Sequence, residues 1–189
     1  FVIHVLSGYH YETNWNDEMN IFLSSVKYPE VHLNSCCKQA YPDLEKSLSD
    51  LNTANSKKIL DEYAQLSEDA LPEAKENADS FETYRIFEEV HVRRADSSVL
   101  SLLYSDSYYA GGSHGSYYKT GITFDTQTGK KLSLTDVVTD INAISENIKT
   151  QLYSKHSSDE FYADFDFTSY FIENYDNITW VLDYHGITF

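Results

Sequence analysis

The sequence predicts an α+β fold, a single domain in which an antiparallel β-sheet meander packs against a few helices. Three observations carry this. Apolar residues recur at helical spacing between Pro42 and Ala70, alternation with period two takes over from Tyr84, and the β-rich runs after Val99 are separated by glycine-containing turns. The helical part covers about residues 42–80 and the sheet part about 81–189, and no repeat, linker or low-complexity stretch divides the chain.

In chain order, Phe1 to Leu6 is the longest early apolar run, and His4 interrupts it. Nowhere do 18 apolar residues follow one another, so no segment has the composition of a membrane-spanning helix. The chain starts at Phe1 and holds only Met19, which reads as a processed product or an expressed fragment whose natural N-terminus has been removed. Cys36 and Cys37 are adjacent. Consecutive Cα atoms lie about 3.8 Å apart, short of the roughly 4.4–6.8 Å a disulfide needs, so no disulfide framework is available.

Pro42 and Asp43 open a helix on which Leu44, Leu48 and Leu51 fall at i, i+4 and i+7. A second helix starts near Thr53 and aligns Ile59, Tyr63, Leu66 and Ala70, until Pro72 breaks or kinks it. From Phe81, Tyr84, Ile86, Val90 and Val92 share one parity while Arg85, Glu89, His91 and Arg93 share the other, the pattern of a half-buried strand. Val99–Tyr109 and Tyr117–Phe124 are further strands joined by Ala110-Gly111-Gly112-Ser113-His114-Gly115-Ser116. Asp125–Lys130 is a turn in which Gly129 takes positive φ. Ile141, Ile144, Ile148 and Leu152 mark another helix, capped by Thr139 or Asp140. Ile178–Asp183 and Ile187–Phe189 flank Tyr184-His185-Gly186 as a hairpin, and its abrupt second strand predicts a natural C-terminus beyond Phe189.

The 189 residues carry 14 Lys and Arg against 30 Asp and Glu, a formal net charge of -16. A phosphate backbone would be repelled, which excludes nucleic acid as a partner. The charge is uneven: -7 falls in residues 41–96 and -6 in 150–189, with only -1 in 97–149. That nearly neutral stretch is where Tyr104, Tyr108, Tyr109, Tyr117 and Tyr118 crowd around the glycine loop. Rigid tyrosines beside a glycine-rich tip combine contact area with little entropy loss on binding. Tyr108, Tyr109, Gly111, Gly112, Ser113, His114, Gly115 and Tyr117 are therefore the candidate partner-binding residues.

Several catalytic patterns fare less well. Gly111-Gly112-Ser113-His114-Gly115 matches G-x-S-x-G, but a nucleophile elbow needs a helix straight after the serine, and here a β-rich run follows. The seven histidines, His4, His10, His32, His91, His114, His156 and His185, show neither H-E-x-x-H nor paired C-x-x-C spacing, and His32 before Cys36 is a weak pair. Acid pairs at Asp17-Glu18, Asp159-Glu160 and Asp164 with Asp166 lack the cross-bond geometry of glycosidases, and no EF-hand pattern accompanies them. No metal or cofactor is expected. Trp15 and Trp180 are candidate stacking platforms for sugars, Trp180 within a strand pattern and so core-like, Trp15 among polar residues.

Together, Tyr108–Gly115, then Gly121-Ile122-Thr123-Phe124-Asp125-Thr126-Gln127-Thr128-Gly129-Lys130 and Leu132–Val138, resemble one family signature: a G-G-x-H-G loop, a strand ending Phe-Asp, a Thr-Gly turn and a Leu-x-Asp helix start. Tyr41-Pro42-Asp43-Leu44 upstream and Trp180–Asp183 with Gly186–Phe189 downstream resemble its other parts. The family is the bacterial extracytoplasmic domain of unknown function found in RsiV-like anti-sigma factors and beside PdaC-like peptidoglycan deacetylase domains, and the likeness spans about residues 28–189. It implies a non-enzymatic binding or sensor domain at the cell surface, membrane-anchored or secreted. Its partner would be lysozyme or another basic protein, which a -16 chain steers by charge. The alternative is a cell-wall or carbohydrate-binding module accessory to a peptidoglycan-modifying enzyme. A hydrolase built on Ser113 or on Asp164 and Asp166 comes last.

Overall fold

The computed structural model describes residues 1–16, 19–155 and 165–189, without the side chains of 14–20. Two long strands come first, β1 (Ile3–Asn16) and β2 (Met19–Leu33), followed by a short helix α1 (Ser35–Ala40) whose N-cap Asn34 accepts from the Cys37 N–H. The 35-residue α2 (Pro42–Glu76) then leads to β3 (Tyr84–Ala95), β4 (Val99–Tyr109) and β5 (Ser116–Asp125). After these come α3 (Leu134–Val137), α4 (Ile141–Lys155), α5 (Phe167–Asn174), a 3-10 turn (Tyr175–Asn177), β6 (Val181–Asp183) and β7 (Gly186–Thr188). The α+β class stands, in one compact unit.

The main sheet has the order β1-β2-β3-β4-β5. The meander β3-β4-β5 is antiparallel, as is β1-β2, but the two halves join through a parallel pairing of Ser24–Lys27 with Tyr84–Phe87. The sheet is therefore mixed and starts at Ile3, not near residue 81. The parallel joint is what a helical crossover imposes: α2 carries the chain from the end of β2 back to the start of β3.

The two helices expected on either side of Thr53 are one. Leu44, Leu48, Asn52, Ile59, Tyr63, Leu66, Ala70 and Ala74 form a single buried stripe, and Pro72 lies inside the helix. Pro72 is exposed, so the carbonyl it leaves without a donor faces water, and only the last turn follows it. The polar Asn52 in that stripe has a specific partner. Beyond Lys27, β2 has no pairing to β3, and there Asn52 Oδ1 accepts from the Val31 N–H at 2.9 Å while Asn52 Nδ2 donates to Val31 O at 2.9 Å. A side-chain amide on α2 replaces the missing strand. One core cluster lies on each side of it, around Leu44, Leu48, Leu100 and Phe124, and around Ile59, Leu66, Val26 and Ile86.

The C-terminal elements form a third cluster around Leu134, Phe171 and Trp180 and lie on the opposite, outer face of β3-β5. Leu182 N–H donates to Ser101 Oγ at 2.9 Å, and a Cβ on Gly121 would sit 1.8 Å from Trp180 O. Only glycine lets this backbone approach so closely. Trp180 is 9% exposed, so it is core and no sugar platform; Trp15 lies outside the described side chains.

Candidate functional site

The outer face is covered only in part. Around β6 and β7 it is sealed, whereas at the other end, towards the glycine loop, none of the described residues covers the sheet. Strand registers fix what stands there. Lys27 is opposite Phe87, Phe87 opposite Ser107, Ser107 opposite Tyr117, and Arg85 opposite Tyr109. Across the other side of β2, Tyr9 is opposite Lys27 and Tyr11 opposite Ser25. One row thus crosses all five strands.

The row is aromatic and open. Tyr117 is 78% exposed, Tyr9 and Tyr11 more than half, and Phe87 37%. Lys27 Nζ stands 4.6 Å from the Phe87 ring centroid and the Arg85 guanidinium 5.5 Å from that of Tyr109, both within cation–π range. Tyr9 packs on Tyr11 at 5.9 Å between centroids, and Tyr11 stacks on Phe22 at 5.4 Å. Arg85, Phe87, Ser107, Tyr109, Gly115 and Tyr117 line a hollow of about 270 Å³. Held on a sheet, these rings have little freedom left to lose on binding.

The sequence-predicted residues divide between two faces. Tyr109 and Tyr117 belong to this outer row. Tyr108, facing Ile86 and Ser116, belongs to the inner side, where α2 packs. Gly111 (φ 84°) and Gly112 (φ 86°) turn the β4–β5 hairpin with positive φ that other residues resist. The Tyr109 hydroxyl fixes the loop, donating to Glu82 Oε2 at 2.7 Å with Gly112 O at 3.1 Å; that bond holds its pKa above the ordinary phenol value. Ser113 and His114 sit at the exposed tip, and Gly115 meets the Tyr108 carbonyl. After Ser113 the chain enters β5, a strand, so an elbow with a helical oxyanion hole is not formed.

On the inner face, a cavity of about 420 Å³ opens between α2 and the sheet, lined by Lys58, Glu62, Glu88, Asp106, Tyr108 and Tyr118. Glu88 is directly opposite Asp106 on β4 and 6% exposed. Burial pushes its carboxyl up to about 8; the Asn55 amide bonded to Glu88 Oε2 opposes this, and the Asp106 charge adds to it. A protonated Glu88 gives the otherwise partnerless Asp106 Oδ1 its donor. Tyr104 is raised above the usual phenol range by burial, with these carboxylates reinforcing it. Sequence reasoning passed over the pair, although a signal was present: Glu88 occupies the apolar parity between Ile86 and Val90.

The remaining candidates scatter. Asp166 caps α5, accepting from Ser169 N–H at 3.2 Å, while Asp164, Asp159-Glu160, Asp17-Glu18 and His156 lie outside the described residues. Among the described residues, no three His, Cys, Asp or Glu side chains converge as a metal-ligand set. Cys36 and Cys37 are free, and His32 pairs with Glu30 at 3.1 Å, not with a thiol.

The sequence pattern of the family described as deacetylase PdaC matches residues 15–117. Two crystal structures are similar in fold. One is a DUF3298 family protein from Pseudomonas aeruginosa, at 18% identity and a TM-score of 0.48, over 82% of this chain and 65% of that one. The other is a member of the DUF3298 family from Bacteroides fragilis, at 17% identity and a TM-score of 0.52, over 84% and 69%. This chain thus spans about two thirds of the length of each. No functionally curated protein matches it.

Proposed function

The chain belongs to the deacetylase PdaC family, and on that premise we propose that it is a non-catalytic binding domain of the bacterial cell envelope that docks a partner on the bare half of its outer sheet face. One observation carries the proposal: the exposed rings Tyr9, Tyr11, Phe87 and Tyr117, with the half-buried Tyr109 and with Lys27 on β2, form a row across five strands that no helix or loop among the described residues covers. Soluble chains rarely leave so contiguous a set of rings uncovered without a use for it.

The partner is a basic protein of lysozyme type, and the domain acts outside the cytoplasm as a sensor, as in the RsiV-like anti-sigma factors it resembles. Charge supports this at long range. Asp50, Asp61, Glu68, Asp69, Glu73 and Glu76 all stand exposed on α2 and contribute to the net charge of -16 that draws a basic partner towards the chain before it docks. A cell-wall glycan is the second reading, favoured by the hollow walled by Phe87, Tyr109 and Tyr117, in which a sugar ring has flat apolar surfaces to lie against.

Binding of lysozyme and of peptidoglycan fragments to the wild type, Phe87→Ala and Tyr117→Ala decides between them. Loss of either ring weakens the true ligand by about tenfold or more, and the melting temperature of each variant checks that the fold is kept. Absence of any lysozyme complex at low salt removes the sensor reading. Binding of both ligands that ignores both substitutions removes the outer face as the site.

A further inference from the structure

We infer that β1 is a self-complementary edge through which two copies of this chain pair, antiparallel, into one continuous ten-stranded sheet. This inference is independent of the ligand on the outer face. It starts from the two sheet edges. On β5 the edge is closed at several points: Leu132 N–H donates to Thr123 O at 2.8 Å, Asp125 N–H to Lys130 O at 2.9 Å, and Thr179 Oγ1 to Lys119 O at 2.8 Å. Among the described residues nothing comparable covers β1.

Which groups β1 offers follows from its bonding to β2. Asn34 N–H donates to Val2 O, and the register continues through Ile3–Leu33 and His4–His32. Antiparallel ladders alternate bonded and non-bonded pairs, so even-numbered residues of β1 bond to β2. Ser7 opposite Pro29, which has no N–H to give, falls at a non-bonded position as this requires. The odd-numbered residues Val5, Ser7, Tyr9 and Tyr11 therefore turn their N–H and C=O groups outward, an unpaired row of the kind that recruits another strand.

Natural edges are guarded by lysine, proline or inward charge. Residues 3–11 contain none of these, and Val5, Leu6, Tyr9 and Tyr11 are 44–57% exposed. A second copy fits this edge through its sequence. A two-fold axis at Gly8 places Ser7 against Tyr9, Val5 against Tyr11 and Leu6 against His10, so apolar and aromatic side chains meet on both faces. The same axis sets His4 opposite Glu12, twice, a donor N–H facing a carboxylate at each end. Gly8 itself meets Gly8 of the second copy at a non-bonded pair, where Cα atoms approach to about 4.5 Å, and the place its side chain would take is filled by the Tyr28 ring of its own chain. In a chain of formal charge -16, residues 1–11 carry no acidic side chain, so along this stretch two copies meet without opposed carboxylates. Pairing is isologous and consumes the open edge, so it closes at the dimer and makes no fibre.

Sedimentation velocity over a concentration series, at low and moderate salt, tests this with the whole chain. A reversible dimer is expected, tighter in salt because the overall repulsion is screened. Ser7→Pro removes an outward N–H without touching the β1–β2 bonds and is expected to raise the dissociation constant at least about tenfold. His4→Glu sets like charges opposite each other and weakens the dimer likewise, and His4→Glu with Glu12→Lys restores it. Within one chain those two residues lie about 26 Å apart, so restoration reports contact between copies. Circular dichroism of each variant checks the fold, and if Ser7→Pro unfolds the charge exchange still gives the answer. A monomer at every concentration, or a dimer indifferent to these substitutions, overturns the inference.

Discussion

Removing the Asn52 side chain tests how the fold bridges its parallel joint. Asn52 is 8% exposed and Val31 fully buried, so in Asn52→Ala a main-chain N–H and a C=O both lose the amide that pairs them where water has poor access. Each unsatisfied buried group costs roughly 1–3 kcal/mol, and the pair about 2–5 kcal/mol, a large part of the roughly 5–15 kcal/mol that holds a domain together. Asn52→Leu fills the volume but offers no amide, so it should lose nearly as much as alanine. Asn52→Asp keeps the acceptor for Val31 N–H and turns a carboxylate towards Val31 O. Burial and that carbonyl raise the new carboxyl's folded pKa above its unfolded value, so this variant gains stability relative to wild type on acidification and loses it again as pH rises. Urea unfolding at pH 7 and pH 4.5, with hydrogen exchange of the Val31 amide, reads all three. If alanine lies within about 0.5 kcal/mol of wild type, the range of ordinary surface changes, and Val31 stays protected, the amide is no substitute for a strand.

Two further outcomes follow from the same structure. Glu88 releases its proton near pH 8 when folded but near the ordinary carboxylate value when unfolded, so the unfolded chain sheds it first as pH rises. Wild-type stability should therefore fall between about pH 5 and 8 by up to about 1.4 kcal/mol per pH unit and then level off; Glu88→Gln should remove this component, and urea midpoints across that range that move in parallel for both proteins would falsify the shared proton. Gly121→Ala would drive a Cβ to 1.8 Å from Trp180 O, so the C-terminal layer must lift from the sheet. Overpacking of this kind costs about 1–3 kcal/mol, read as a lower melting temperature together with loss of protection at Leu182 N–H, and an unchanged melting temperature contradicts the close approach.

What the sequence disclosed depended on whether a residue's role was local. The β4 limits, the Asp125 turn and the Asp140 cap of α4 all rest on contacts within a few residues: Asp125 Oδ1 accepts from Thr128 N–H at 2.8 Å, and Asp140 Oδ1 from Ala143 N–H at 3.0 Å. Propensity and spacing encode such contacts directly. The β1–β2 hairpin was missed because β2 changes its buried parity midway, from Ser24, Val26 and Tyr28 to Val31 and Leu33, so no single alternation runs through it. The helix boundary placed at Thr53 arose from a polar interruption whose partner is 21 residues away on β2. At the candidate site, the tyrosines were visible but their faces were not. Tyr108 and Tyr109 part company because adjacent strand residues point oppositely, and Lys27, Arg85 and Tyr9 join the outer row only through register.

The familiar motif residues illuminate the fold more than the ligand. Gly129, at φ 67°, has no room for a side chain, since a Cβ there would meet Asp43 O at 2.4 Å, and its own carbonyl accepts from Ser47 Oγ at 2.8 Å. The Thr-Gly turn is thereby clamped to the start of α2. Asp136 accepts from Ser133 N–H at 2.8 Å and opens α3, with the Lys130 ammonium and these donors holding its carboxyl down to about 2. Gly121 admits the C-terminal hairpin. Each of these residues spends its chemistry inside the chain. The exposed rings of Phe87 and Tyr117 and the outward amides of β1, on which the two proposals rest, keep capacity to bond beyond the chain. The motif residues therefore account for the architecture of this chain, and the proposed docking face is built from side chains outside that set.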